Sequence, residues 1–204
     1  AFATQPIPRG PRVAILANTG GPAVIATDAL VAEGLEVPPL SAVSVERLRG
    51  ALLPQAALTN PVDVVATAGA EHFRAAIEVL QDDPDIDALY LNFVTPSFTD
   101  TQAIAREIVA AASQRSKPIV CNLMTDLTQE RFRATQRLLV DGGVPCYAYP
   151  SEAARALAAL DRYRRLRARP QAAPTVFDDV DARRARSIVE SALLAGRSQL
   201  GADE

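Results

Sequence analysis

Short continuous apolar runs along the chain give way, again and again, to segments whose apolar residues recur every three or four positions. The runs are Val13 to Ala17, Ala88 to Val94, Pro118 to Met124 and Val144 to Tyr149. Each is short enough for a strand buried on both faces and leaves through small or polar residues. The segments between them read as amphipathic helices. Residues 70 to 81 place Phe73, Ile77 and Leu80 on one face, and 100 to 115 do the same with Ile104, Ile108 and Ala111. Gln129 to Leu139, ended by Gly142-Gly143, and a long segment from Pro150-Ser151 to about Arg169 complete the set. Thr59 to Val65 is strand-like with polar groups at its start, and Leu35 to Val37 reads as a short strand that Pro38-Pro39 stops. Between them Ser44 is the expected cap of a helix to about Leu52.

Strands alternating with helices of this length predict βαβ units, hence a parallel sheet covered on both faces. Five such strands match an α/β, flavodoxin-like, doubly wound five-stranded parallel sheet, in which ligands bind beyond the carboxyl ends of the strands. Residues 1–11, with three prolines and a glycine, are expected as an extended lead-in, and 12–165 as the flavodoxin-like domain. Residues 166–178, arginine-rich and then Pro170-Gln-Ala-Ala-Pro174, are expected as a linker. Residues 179–204 are expected to carry a last helix with Ala185, Ile188, Val189 and Ala192 on one stripe.

The first unit carries the most chemistry. Asn18 and Thr19 leave the strand, Gly20 and Gly21 turn the chain, and Pro22 is expected to open a helix, where its missing N–H costs nothing. Free amides and the positive end of the helix dipole would then face outward and suit a phosphate or carboxylate. The full Gly-x-Gly-x-x-Gly pattern and the P-loop lysine are both missing, so a plain strand-to-helix connection accounts for the turn equally well. From Ala23 to Leu30 only Thr27 and Asp28 interrupt small or apolar residues, which predicts a helix covered on one side by the sheet and on the other by another domain.

A net charge of −3 gives no electrostatic footprint for nucleic acid. No apolar run is long enough to cross a bilayer and the first residues do not resemble a signal peptide, so a cytoplasmic protein is expected. The start without methionine reads as that of an excised piece. Cys121 and Cys146 lie in apolar strand-like runs and are expected as reduced, buried thiols; with a single histidine, no zinc or other metal site is expected.

Residues 10 to 30, Asn60-Pro61-Val62-Asp63, Asp83-Pro84-Asp85-Ile86-Asp87-Ala88, Lys117-Pro118-Ile119 and Val144-Pro145-Cys146-Tyr147 resemble the nucleoside-diphosphate-forming acyl-CoA synthetase superfamily. That superfamily includes ADP-forming acetyl-CoA synthetase and succinyl-CoA synthetase. The likeness is to its second flavodoxin-like domain and implies a part of an ADP-forming acyl-CoA (acetate–CoA type) ligase. It implies that this domain helps hold the phosphoryl group of a phosphohistidine supplied by another domain. Asn18, Thr19, Gly20 and Gly21 would form the phosphate-facing turn, with Asn60 and Asp63 at a neighbouring strand end and Asp63 orienting the loop. Ala23 stands where the family often has glycine. No catalytic residue is expected here: the family's Ser-His-Thr-Gly type motif is absent, and His72, early in an ordinary amphipathic helix, reads as structural. The resemblance further implies partners in the same enzyme, namely a CoA-binding domain, the histidine-bearing flavodoxin-like domain and an ATP-grasp module to which residues 179–204 lead. The parent would use ATP, Mg2+ and CoA, with no cofactor bound by this chain alone and no turnover by it. Two other readings stay open: a regulatory synthetase-like domain of a protein lysine acetyltransferase, and a free-standing small-molecule binding module. Assembly into an oligomer stays open as well.

Overall fold

The computed structural model describes residues 1–113, 117–170 and 180–201. Two compact units divide it, Ala1–Arg169 and Pro170–Glu204. The first unit runs β1 (Val13–Ala17), α1 (Gly20–Ala32), α2 (Ala42–Ala51), β2 (Val62–Asp63), α3 (Ala70–Asp82), β3 (Ala88–Val94), α4 (Thr101–Ala112), β4 (Ile119–Met124), α5 (Glu130–Asp141), β5 (Cys146–Tyr147) and α6 (Pro150–Arg167). The five strands form one parallel sheet in the order β2-β1-β3-β4-β5. This is the doubly wound flavodoxin-like order, and its direction reverses between β1 and β3.

Alternation along the strands sends successive side chains to opposite faces and so divides the core in two. Leu89, Leu91 and Phe93 of β3 pack with Phe73, Ile77 and Leu80 of α3 and Ile104 and Ile108 of α4. The Phe73 and Phe93 rings meet edge to face at 5.4 Å. Val13, Ile15, Tyr90 and Val120 point the other way, onto Ala23, Ala26 and Leu30 of α1 and Ala153, Ala154 and Leu157 of α6. The small α1 and α6 side chains let both helices approach the sheet closely. Tyr90, fully buried, donates its hydroxyl proton to the carbonyl of Pro150 at 3.2 Å and pins the start of α6 to the central strand.

Several local expectations shift. Leu35 to Val37 forms no strand: Glu36 makes a single parallel bridge to Arg12 before Pro38-Pro39, which have no N–H to extend a ladder. Ser41, not Ser44, caps α2; its hydroxyl accepts from the Ser44 N–H at 3.2 Å, so the helix starts a turn earlier. Pro22 stands third in α1, behind Gly20 and Gly21, still within the turn whose N–H groups have no helical partner. The lead-in is anchored: Gln5 accepts from the Ile119 N–H at 2.7 Å and donates to the Gly143 carbonyl at 2.6 Å. α6 stays helical through Arg167, into the first positions expected as linker. Residues 171–179 of the expected linker and last segment, and the expected end of α4 at Arg115, lie outside the described residues. In the second unit, α7 (Ala182–Leu194) is capped by Asp181, whose carboxylate accepts from the N–H groups of Arg183 and Arg184. Within the expected stripe Ala192 is buried and Val189 exposed.

Candidate functional site

Three neighbouring strands of this apolar sheet turn polar at their carboxyl ends: Asn18 follows β1, Asn92 lies in β3 and Asn122 in β4. All three are buried. The Asn18 carboxamide bridges to β3, donating to the Val94 carbonyl at 2.8 Å and accepting from the Val94 N–H at 3.0 Å. Asn122 donates to the carbonyls of Tyr147 and Ala148, each at 3.1 Å. Thr95 and Thr125, in the loops after β3 and β4, share a hydroxyl–hydroxyl bond of 2.7 Å. Side-chain amides and hydroxyls thus tie together the crossover loops at the carboxyl edge. The Asn92 carboxamide and Asn122 Oδ1 are buried without a hydrogen-bond partner among the described residues.

Above this edge stands the N-terminus of α1. Thr19 is extended at the cap position and its hydroxyl makes no capping bond. Gly20 and Gly21 are exposed, and a Cβ on Gly21 would meet nothing within 4 Å. The first amides of α1 therefore open to solvent, uncovered by any side chain of the turn. Ala23 is 3% exposed and faces the sheet, so its methyl group does not crowd the turn. α4 contrasts with α1: Asp100 caps it with its own carboxylate, accepting from the Ala103 N–H at 2.9 Å. An anion is thus favoured at α1 and disfavoured at α4.

Asp63 and Asn60 lie apart. A Cβ on Gly20 would sit 3.5 Å from Asp63 Oδ2, so this carboxylate borders the α1 turn. Its other oxygen accepts from the Val65 N–H at 2.9 Å and holds Val65 at a φ of 67°, a left-handed conformation costly for a β-branched residue. Asn60 instead supports the amino-terminal half of β1, accepting from the Ile15 N–H at 2.9 Å and donating to the carbonyls of Val13 at 2.9 Å and Pro38 at 2.8 Å. His72 accepts from the Gly69 N–H at 3.0 Å and so caps α3, consistent with a structural role.

A cavity of about 610 Å³ opens at the opposite, amino-terminal end of the strands, lined in part by Arg12, Asp83, Asp87 and Lys117. These four charges are engaged with one another and with the backbone. Arg12 holds Asp87 through Nε at 2.8 Å, and buried Lys117 donates to the carbonyls of Leu80 and Asp83. The open amides lie at the other end, so the α1 turn is the better candidate. Among the described residues no cluster of His, Cys, Asp and Glu could hold a metal ion, and no helix is long and apolar enough to cross a membrane.

Comparison with known proteins agrees with this architecture. The Ligase-CoA domain family matches residues 13–172. The alpha subunit of acetate–CoA ligase [ADP-forming] II from Pyrococcus furiosus is 36% identical over 77% of this chain and 35% of its own length. Acetate–CoA ligase [ADP-forming] I from Archaeoglobus fulgidus is 30% identical over 94% of this chain and 27% of its own length. Among solved structures, PH0766 from Pyrococcus horikoshii superposes with a TM-score of 0.74 at 34% identity, covering 79% of this chain and 38% of that one. The dinucleotide-forming acetyl-coenzyme A synthetase 1 of Candidatus Korarchaeum cryptofilum, in complex with phosphate and ADP, gives 0.73 at 25% identity, covering 81% and 36%. The chain thus spans about a quarter to a third of the length of the curated relatives it matches. With the family covering the sheet and its helices from β1 through α6, the chain belongs to the Ligase-CoA domain family.

Proposed function

We propose that this chain is one domain of an ADP-forming acyl-CoA ligase and that the N-terminus of α1 holds a phosphoryl group presented on a histidine of another domain. The observation that carries the reading is the open α1 turn: exposed Gly20 and Gly21, no side-chain cap from Thr19, and Ala23 turned inward. Main-chain N–H groups and the helix dipole stabilise a dianion without a side-chain acid or base, which suits a domain whose task is to hold rather than to react. Thr19, Gly20 and Gly21 face the phosphate; Asn18 fixes the turn against β3, Asp63 borders it and Asn60 supports the strand beneath. The parent enzyme uses ATP, Mg2+ and CoA, bound by a CoA-binding domain and an ATP-grasp module, and residues 179–204 lead toward the latter. This chain alone turns nothing over, since the reacting imidazole belongs to a neighbour.

Titrating the isotopically labelled chain with inorganic phosphate tests the cradle. The Gly20 and Gly21 amide resonances move and saturate, and Gly21→Asp abolishes the shift while leaving the rest of the spectrum in place, because it sets a negative charge against the phosphate in the first turn of α1. Shifts that instead gather around Arg12 and Lys117 and survive Gly21→Asp overturn the assignment. Asp63→Asn gives the converse result. It keeps an oxygen for the Val65 N–H but removes a negative charge beside the turn. Phosphate then binds roughly fivefold more tightly, equivalent to about 1 kcal/mol of repulsion relieved at a solvated site.

A further inference from the structure

The two cysteines of the chain are neighbours. Cys121 of β4 and Cys146 of β5 are register partners on adjacent parallel strands, and both side chains join the core that also contains Val144 and Leu139. Both are free thiols, Cys121 fully buried and Cys146 half-buried on the edge strand. Adjacent strands lie about 4.8 Å apart, inside the Cα separation of about 4.4–6.8 Å that a disulfide spans. The thiols already interact: contact with the Cys146 sulfur and then burial push the Cys121 thiol well above its ordinary range. The Cys146 thiol also points at the Val144 carbonyl, 3.5 Å away.

We infer that Cys121 and Cys146 are a redox modification site, a cross-strand dithiol that hydroperoxides convert to a disulfide tying β5 to β4. Cys146 reacts first, as the less buried of the two. Its thiolate attacks a peroxide oxygen, the O–O bond breaks, and the sulfur is oxidised to a sulfenic acid as hydroxide (or alkoxide) leaves. The Cys121 sulfur then attacks the Cys146 sulfur; the S–S bond forms, the S–O bond breaks, and the departing hydroxide takes the Cys121 proton as water. Two thiols and one hydrogen peroxide thus become one disulfide and two waters. Cys121 is held as a thiol by its surroundings, so it serves as the resolving partner.

The bond acts where β5 is weakest. This strand has only two residues, Cys146 and Tyr147, before the chain turns into α6. Asn122, next to Cys121, already ties that exit through the Tyr147 and Ala148 carbonyls. Oxidation therefore fastens the last carboxyl-edge loop covalently to the strand beneath it.

The experiment treats the 204-residue chain with hydrogen peroxide and follows intact mass and alkylatable thiols. The wild-type protein loses 2 Da and both thiols, and dithiothreitol restores them. Cys121→Ser stops at the sulfenic acid, which dimedone traps on Cys146; wild type gives no more than a trace of that adduct. The inference is overturned if wild type keeps both thiols under conditions that oxidise Cys146 in Cys121→Ser. It is equally overturned if wild type accumulates sulfinic acid on Cys146 while Cys121 remains alkylatable. Circular dichroism of Cys121→Ser establishes that the variant is folded; if it is not, the mass and thiol count of wild type alone decide.

Discussion

Asn18→Ala is expected to lower the unfolding free energy by about 2–4 kcal/mol. The substitution removes one side chain and strands two backbone groups, the Val94 N–H and carbonyl, which it bridges at 3.0 and 2.8 Å. Asn18 is 2% exposed, so water reaches the vacated site poorly and the desolvation of Val94 is not recovered. Urea unfolding measures the effect as a lower midpoint at constant slope, the signature of lost stability with an unchanged unfolded state. Asn18→Asp separates packing from hydrogen bonding: it keeps an acceptor for the Val94 N–H but sets a charged oxygen against the carbonyl, so it gains little over alanine. On the proposed phosphate-holding role of the α1 turn, the same variants are expected to weaken phosphate binding there, because the amides lose the tether that aims them. A loss below about 1 kcal/mol would mean that the bridge contributes only an average net hydrogen bond and that the turn is fixed by other contacts.

How far the sequence foretells this site depends on the range of each interaction. β1, β3 and β4 are legible because an unbroken apolar run has no alternative to burial on both faces. The β1–α1 turn is legible because Gly20-Gly21-Pro22 is local punctuation, although the helix begins on the glycines rather than on the proline. The Asn18 bridge is not legible, since its partner Val94 is 76 positions away and any polar residue leaving a strand looks alike before the sheet order is known. The same holds for Asn60 and Asp63. Both belong to one strand-like segment, three residues apart, yet Asp63 borders the α1 turn while Asn60 turns back onto β1. Cys121 and Cys146 each read as an ordinary buried thiol; only the parallel pairing of β4 with β5 makes them a pair. Leu35 to Val37 fails as a strand for a local reason: the prolines expected only to end it leave room for no more than the single Glu36 bridge to Arg12.

At the amino-terminal end of the sheet the chain is held by charge, and Asp87→Ala is expected to cost about 3 kcal/mol, measured by urea unfolding near neutral pH. Asp87 is 4% exposed and accepts from the Arg12 N–H at 3.2 Å, from Nε at 2.8 Å and from a terminal guanidinium nitrogen at 3.0 Å. Arg12 is about a third exposed, so water softens its loss; buried Lys117, which Asp87 also helps keep charged, has no such relief. Burial alone would raise the Asp87 pKa, but the bonds and charge of Arg12 outweigh it and hold the carboxyl below its ordinary value. Asp83 is depressed in the same way, where bonds from Ser44, Asp85 and Ser41 overcome burial. Both groups therefore stabilise the fold fully above the unfolded carboxylate pKa of about 4, and that contribution is lost as pH falls through the lower folded values. Wild type is expected to lose stability steeply below pH about 4, whereas Asp87→Asn starts lower and falls less steeply over the same range. Parallel curves for the two proteins would show that folding does not lower the Asp87 pKa, and the acid sensitivity would then rest on other carboxyls, Asp83 among them.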